Sequence, residues 1–460
     1  MLIQPRLLTV FLCLVGALVV LPAVAEDIFP HKVHQTTLDN GLKVVVVPYD
    51  SPGTVAYYVV VRTGSRDEVE PGHSGFAHFF EHMMFRGTAR YSTDEYNDVI
   101  KKMGADTNAY TNDDRTVYHM VGPAAELEVM MDIESDRFIN LDYNEEDFRR
   151  EALAVLGEYN KNISNPFLPM YERMRELAFQ EHTYSHTTMG FLADIKAMPD
   201  YYDYSLSFFD RFYRPDNIVV LVVGDVDPEK AFAMAKKYYG DWEKGYQRPK
   251  IATEPPQSET KKGHIDWVAP IRPHIMAGYR VPAFSASTVD TATLDLISQL
   301  LFSESALLYQ KLVVDEQWMD YVSGSYNDHR DPYLFMIYGR IKSEDLVDDV
   351  QAAIGKAIAD LQKNPVDPEK LERIKSHLRY SFALSLDSPN AISGTVTNYL
   401  SLTGDPLTVN ELYAQYQKVT PADIQRVAKE VFKPTNYTVV PLSYAEPAKT
   451  GEAGATAEGR

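Results

Sequence analysis

Ser74-Gly75-Phe76-Ala77-His78-Phe79-Phe80-Glu81-His82-Met83-Met84-Phe85-Arg86-Gly87-Thr88 carries most of the information in this chain. Its pattern predicts a helix over 74–85. On a helix, residues four apart lie one turn apart on the same face, so His78 and His82 offer two imidazoles to a single ion. Neutral imidazole is a favoured zinc ligand. Glu81 flanks that pair, placed to accept a proton from water at the metal instead of ligating it. Two histidines on an ordinary surface helix would give the same five letters, and a catalytic zinc needs a third protein ligand while keeping one position for water. Candidates stand on a long helical pattern over 145–161, where Glu151 and Glu158 are two turns apart and share a face. Either could reach inward. Ala152, Leu153, Val155 and Leu156 give that helix an expected buried side.

Around this core the chain reads as two similar halves. The first opens on Asn40-Gly41 and the runs Leu42–Val47 and Val55–Val61, which are β-branched and aromatic as strands require. A helix over 93–103 follows, then short strands over 106–111 and 116–121 on either side of Asn112-Asp113-Asp114. Helical patterns fill 124–138 and 145–161, and the half closes with the buried strand 217–225 and a helix over 228–239. The segment 244–263, rich in Pro, Gln and Lys and without apolar periodicity, reads as a linker. Strands (276–281, 333–341) and helices (288–302, 343–362, 368–385) then recur. One echo suggests duplication: Tyr213-Arg214-Pro215-Asp216-Asn217 precedes the first half's last strand, and Phe432-Lys433-Pro434-Thr435-Asn436 precedes the strand 437–440. The expected divisions are a leader (1–25), an N-terminal domain (26–243), the linker (244–263), a C-terminal domain (264–445) and a disordered tail (446–460).

Arg6, the apolar run Leu7–Leu21 and the Ala23-Val24-Ala25 exit have the three parts of a secretory signal peptide. A membrane anchor is the alternative for the same residues. Cleavage would give an exported, most simply periplasmic, product without a stable membrane anchor. Cys13, the one cysteine of the chain, lies in that run, so neither disulfides nor thiolate chemistry would remain. Across 460 residues, 45% are hydrophobic and 24% charged, far too apolar for a disordered chain. The net charge of −20 argues against nucleic acid as a general partner, which needs a basic footprint.

The stretch 74–88 resembles the signature of the pitrilysin/insulinase metallopeptidases, whose H-x-x-E-H order marks the inverzincins. Further similarity lies in Asn40-Gly41-Leu42, Gly64-Ser65-Arg66-Asp67-Glu68, Gly104–Thr111 and Tyr213–Asn217. The resemblance implies an α+β fold of two homologous domains, each a mostly antiparallel sheet flanked by helices, together forming half of a clam-shell chamber. It implies a zinc endopeptidase with one Zn2+ per chain. His78, His82 and Glu158 would be its ligands, Glu81 its general base and Glu151 a carboxylate orienting a ligand. Peptides would pair with the strand at Asn108, Ala109, Tyr110 and Thr111. His73, His119, His182 and His186 are nearby candidates for substrate contacts, although for each alone a structural or surface role is the simpler reading.

One departure stands out. Family members carry an Arg and a Tyr seven residues apart that grip the substrate; here Tyr321 fits the Tyr, but Val314 stands where the Arg would be. That substitution, with the short chain, leads to the expectation of a zinc subunit in a heterodimer with an Arg/Tyr-bearing homologous subunit. A homodimer with a degenerate grip, or a non-catalytic binding or scaffold subunit, are the alternatives.

Overall fold

In the computed structural model, residues 27–445 are described; the expected leader and disordered tail lie outside them. Six strands of the first half, β1 (His34–Thr37), β2 (Lys43–Pro48), β3 (Thr54–Val61), β4 (Asp106–Thr111), β5 (Thr116–Pro123) and β6 (Ile218–Gly224), form one sheet in the order β1-β2-β6-β3-β5-β4. All its pairings are antiparallel except β2 with β6. The second sheet contains β7 (Lys261–Lys262), β8 (Ile265–Trp267), β9 (His274–Val281), β10 (Met319–Tyr326), β11 (Tyr333–Ile341) and β12 (Tyr437–Tyr444), in the order β10-β11-β9-β12-β7, with β8 also on β12. β7 and β8 run parallel to β12 and the other pairs are antiparallel, so the second sheet repeats the first. The last residues of the 244–263 segment are thus already strand.

The duplicated Pro-x-Asn echo has a structural basis. Pro215–Asn217 and Pro434–Asn436 are equivalent single turns leading into β6 and β12. In each, the Asn side chain donates to the carbonyl five residues back, Asn217 to Phe212 at 3.0 Å and Asn436 to Val431 at 2.8 Å. The amide thus holds the end of one helix against the start of the next strand.

Five helices of the first half matter for the site: α1 (Phe76–Met83), α2 (Thr93–Met103), α3 (Leu127–Asn140), α4 (Glu145–Asn162) and α5 (Phe167–Ala178). The long apolar runs of β2, β3 and β6 follow from burial on both faces. Val44, Val46, Tyr57, Val59 and Val61 face α1 and its neighbours. Val45, Val47, Ala56, Tyr58 and Val60 pack into the second half, where the helix Pro389–Leu402 lies across β3 and β6. The exchange is reciprocal. α5, the corresponding helix of the first half, packs on β9 and β12, with Met170 and Met174 clustering against Met276, Leu334 and Val440. Among the described residues, no helix is long and apolar enough to cross a membrane.

Candidate metal centre

Helix α1 is two-sided by its own spacing. Phe76, Phe79, Phe80 and Met83, at i, i+3, i+4 and i+7, are fully buried; Phe79 meets Phe148 of α4 at 5.0 Å and Phe80 stacks on Phe208 at 5.3 Å between ring centroids. His78, Glu81 and His82 therefore share the remaining face, toward α4 and β4. The helix begins tightly: Gly75 has φ +95°, and a Cβ there would come 2.7 Å from the Met189 carbonyl. Glu68 serves as a distant cap, its carboxylate accepting the N–H of Gly75 at 2.7 Å and of Ala77 at 2.6 Å.

Helix α4 starts at Asn144, whose side chain accepts the Asp147 N–H at 2.9 Å. Its buried line is Phe148, Ala152, Val155 and Tyr159. Leu153, expected on that side, is 58% exposed, because at about 100° per residue it projects away from the line. Glu151 and Glu158 lie on the flank facing α1. Glu158 Oε2 is 3.3 Å from His82 Nε2 and 3.6 Å from His78 Nε2.

One ligand atom each from His78, His82 and Glu158 falls within a 4.8 Å span. Two ligands each about 2.0–2.1 Å from a tetrahedral zinc would be roughly 3.4 Å apart, close to the separations found. The donor chemistry agrees. His82 Nδ1 lies 3.0 Å from Glu151 Oε1, which fixes the ring and leaves Nε2 free for an ion. Burial, then the neighbouring His82 ring, pushes His78 down to about 4, which keeps its imidazole neutral. The residues present fit zinc.

Glu151 is almost completely buried. Burial by itself would raise its carboxyl, but the bond to His82 and the Arg86 guanidinium hold it below the usual carboxylate range. Sequence reading missed Arg86 in this role, and its place within 74–88 was the available signal. Glu81 is half-buried; desolvation raises its carboxyl, partly offset by the neighbouring Thr111 and His82.

α1 packs beside β4, the sheet's edge. Asn112 N–H donates to Arg115 O at 2.9 Å in the β4–β5 turn, so by the two-residue alternation Tyr110 and Asn108 also turn toward β5, while Thr111 and Ala109 turn outward. Ala109 N–H accordingly meets not β5 but the Asn108 side chain, at 2.9 Å.

Tyr321 stands elsewhere, on β10 at the edge of the second sheet. No hydrogen bond among the described residues ties it to α1 or α4. Its cross-strand partner is Arg340, whose guanidinium lies 5.4 Å from the ring centroid and donates to Asp320 at 2.7 Å. Val314 is 49% exposed. The remaining histidines have local partners: His73 packs on Tyr201 and Tyr204, His119 stacks on Tyr58, His182 bonds Asp331 at 2.9 Å, and His186 lies 3.7 Å from Glu68.

Residues 44–191 match the family model described as insulinase (peptidase family M16), and residues 202–378 match that of the peptidase M16 inactive domain. Zinc protease PqqE of Helicobacter pylori is 30% identical over 438 residues, covering 90% of this chain and 94% of that protein. A probable mitochondrial-processing peptidase subunit beta of Schizosaccharomyces pombe is 25% identical over 87% of this chain and 89% of its own length. The crystal structure of a protease from Helicobacter pylori superposes with a TM-score of 0.85 at 28% identity, over 91% of this chain and all of that one. The periplasmic protease PqqL from Escherichia coli has the same fold at 20% identity and TM-score 0.73, and this chain spans 49% of it. The chain belongs to the insulinase family of peptidases, family M16.

Proposed function

We propose that this chain is a zinc-dependent endopeptidase acting on peptides or unfolded segments. The observation that carries the reading is the convergence of His78 and His82 of α1 with Glu158 of α4, beside Glu81, where α1 packs against the edge strand β4. In this reading His78, His82 and Glu158 hold the ion, and Glu151 orients His82. When bound, zinc supplies Lewis acidity, making water acidic near neutral pH and polarising the scissile carbonyl. Glu81 accepts the proton of the attacking water and passes it to the leaving amine. The peptide lies as an added strand along Asn108, Ala109, Tyr110 and Thr111, pairing with the outward main chain of Ala109 and Thr111, with little demand on sequence.

A single chain supplies half of the chamber, in keeping with its span of 49% of PqqL, so a second subunit completes the site. Val314 favours a heterodimer in which a homologous partner brings the Arg and Tyr. Arg340 beside Tyr321 favours the homodimer, since a guanidinium already stands next to that ring. Export to the periplasm is the matching location, supported by the signal-like leader and by the shared fold of PqqL, a periplasmic protease.

The test is hydrolysis of a quenched, unstructured peptide library by the purified chain, alone and with a neighbouring Arg/Tyr-bearing homologue. Glu81→Gln is the control, expected to lower turnover about 10²–10⁴-fold while zinc content stays at one per chain. Cleavage only with the homologue supports the heterodimer; cleavage alone supports the homodimer. Zinc binding without cleavage in either setting would replace this reading with a binding or scaffold subunit, to which the match with an inactive domain points.

A further inference from the structure

A cavity of about 360 Å³ lies away from α1, where the first half, the 244–263 segment and the second half meet. Arg66, paired with Asp331, and three further arginines line it. Arg62 follows β3, Arg330 comes from the β10–β11 turn, and Arg248 stands exposed at the rim. Among the described residues none of the three has a carboxylate within ion-pair distance. Arg330 is anchored, donating to the Ser401 carbonyl at 2.6 and 2.8 Å and to the Arg62 carbonyl at 3.1 Å, with further N–H groups to spare. Arg62 has a buried Nε without a hydrogen-bond partner.

The acids lining the cavity are already engaged. Asp331 takes Arg66 at 2.6 Å and His182 at 2.9 Å. Glu254 accepts the backbone N–H groups of Gln180, Glu181 and His182 at 2.8–3.0 Å. Asp67, behind the cavity, accepts the Gly64 N–H and lies 3.5 Å from Arg66. A half-buried guanidinium without an acceptor, facing two like charges, is costly. Burial, then Arg330 and Arg248, pushes Arg62 down to about 10. In a chain of net charge −20 such a cluster is not a by-product of composition.

We propose that this cavity binds a phosphate-sized oxyanion, inorganic phosphate or the phosphate group of a small monoester, between Arg62, Arg248 and Arg330. Planar guanidinium forks suit tetrahedral oxyanions, and a dianion answers several arginines at once. The three arginines come from the two halves and the segment joining them, so the bound anion acts as a clip across the molecule and stabilises it as any native-state ligand does.

The experiment measures thermal unfolding and 31P line broadening of the zinc-loaded chain at constant ionic strength. The additives are inorganic phosphate, glycerol 2-phosphate and chloride, on the parent, Arg62→Gln and Arg248→Gln. The expected result is a saturable rise in Tm with phosphate over chloride, with apparent Kd weakened at least about tenfold in each variant. Without phosphate, Arg62→Gln should unfold at or above the parent's temperature, because an unpaired charge is gone. An equal response to glycerol 2-phosphate assigns the site to phosphate groups generally; a response to inorganic phosphate alone assigns it to the free ion. A non-saturable shift, or the same shift in Arg62→Gln as in the parent, as phosphate at the zinc would give, overturns the proposal. Should Arg62→Gln not fold, exposed Arg248→Gln carries the same comparison.

Discussion

His82 has two jobs to reconcile, and the bond from its Nδ1 to Glu151 separates them by leaving Nε2 for the ion. Glu151→Gln should therefore weaken zinc binding about 10–100-fold, read by competition with a chelating dye, with the fold retained. An unchanged affinity would mean that ring orientation is set by packing alone. At this scale the spacing of His78, Glu81 and His82 was legible, because a helix turns i and i+4 into neighbours. The choice between Glu151 and Glu158 was not legible from spacing, since both share a face; it came from resemblance. Arg86 beside Glu151 and Glu68 on the N-terminus of α1 escaped notice, because such pairings depend on how distant segments pack.

At the scale of elements, β4 matters through its free side. Ala109 directs its N–H away from β5, where it meets only the Asn108 side chain, so Ala109→Pro removes a donor that a peptide would take over from Asn108 while sparing the β4–β5 ladder. One hydrogen bond corresponds to a roughly two- to tenfold fall in kcat/KM, with little change in Tm. A fall in kcat/KM no larger than the error of the assay would count against strand addition at this edge. Most elements were legible: the strand over 106–111 and the helices over 93–103, 228–239 and 368–385 match the observed limits. The helix expected from Ala124 starts at Leu127, because Ala124–Glu126 forms a tighter turn first, and the one expected from Ser343 starts at Val347 for the same reason. Hydrogen-bond geometry of a first turn leaves no trace in apolar periodicity.

Over the whole molecule, charged residues join the halves. Arg175 and His329 meet Asp113 at 2.7 and 3.1 Å, and Arg66 and His182 meet Asp331. Against burial, these partners hold both carboxyls well below the usual range, and Asp113 holds His329 above its own. A depressed carboxyl contributes stability above its unfolded pKa of about 3.9, lost as pH falls toward the folded value. A raised imidazole contributes below about 6.5, lost as pH rises through the folded value. The Tm difference between the parent and Asp113→Asn should therefore be largest between about pH 4 and 6.5 and shrink on both sides; a pH-independent difference would rule out this linkage. The exchange of α5 and Pro389–Leu402 makes a second prediction. Residues 27–243 made alone would expose Val45, Val47, Tyr58 and Val60, each worth about 1.5–3 kcal/mol when buried, and should bind a hydrophobic dye or precipitate. Cooperative unfolding of that fragment would refute the dependence. The sequence by itself determined most of the long strands and helices and the face shared by His78, Glu81 and His82, because these follow from periodicities of two and 3.6 residues along one chain, and its Pro-x-Asn echo pointed to the duplication; it did not mark the exchanged helices Phe167–Ala178 and Pro389–Leu402 or the strand Met319–Tyr326. Tertiary structure alone decided that Glu158 lies near both imidazoles, that each half lends a helix to the other, and that four arginines line one cavity. Those are contacts between residues far apart in the chain, and their distances depend on how whole sheets and helices pack.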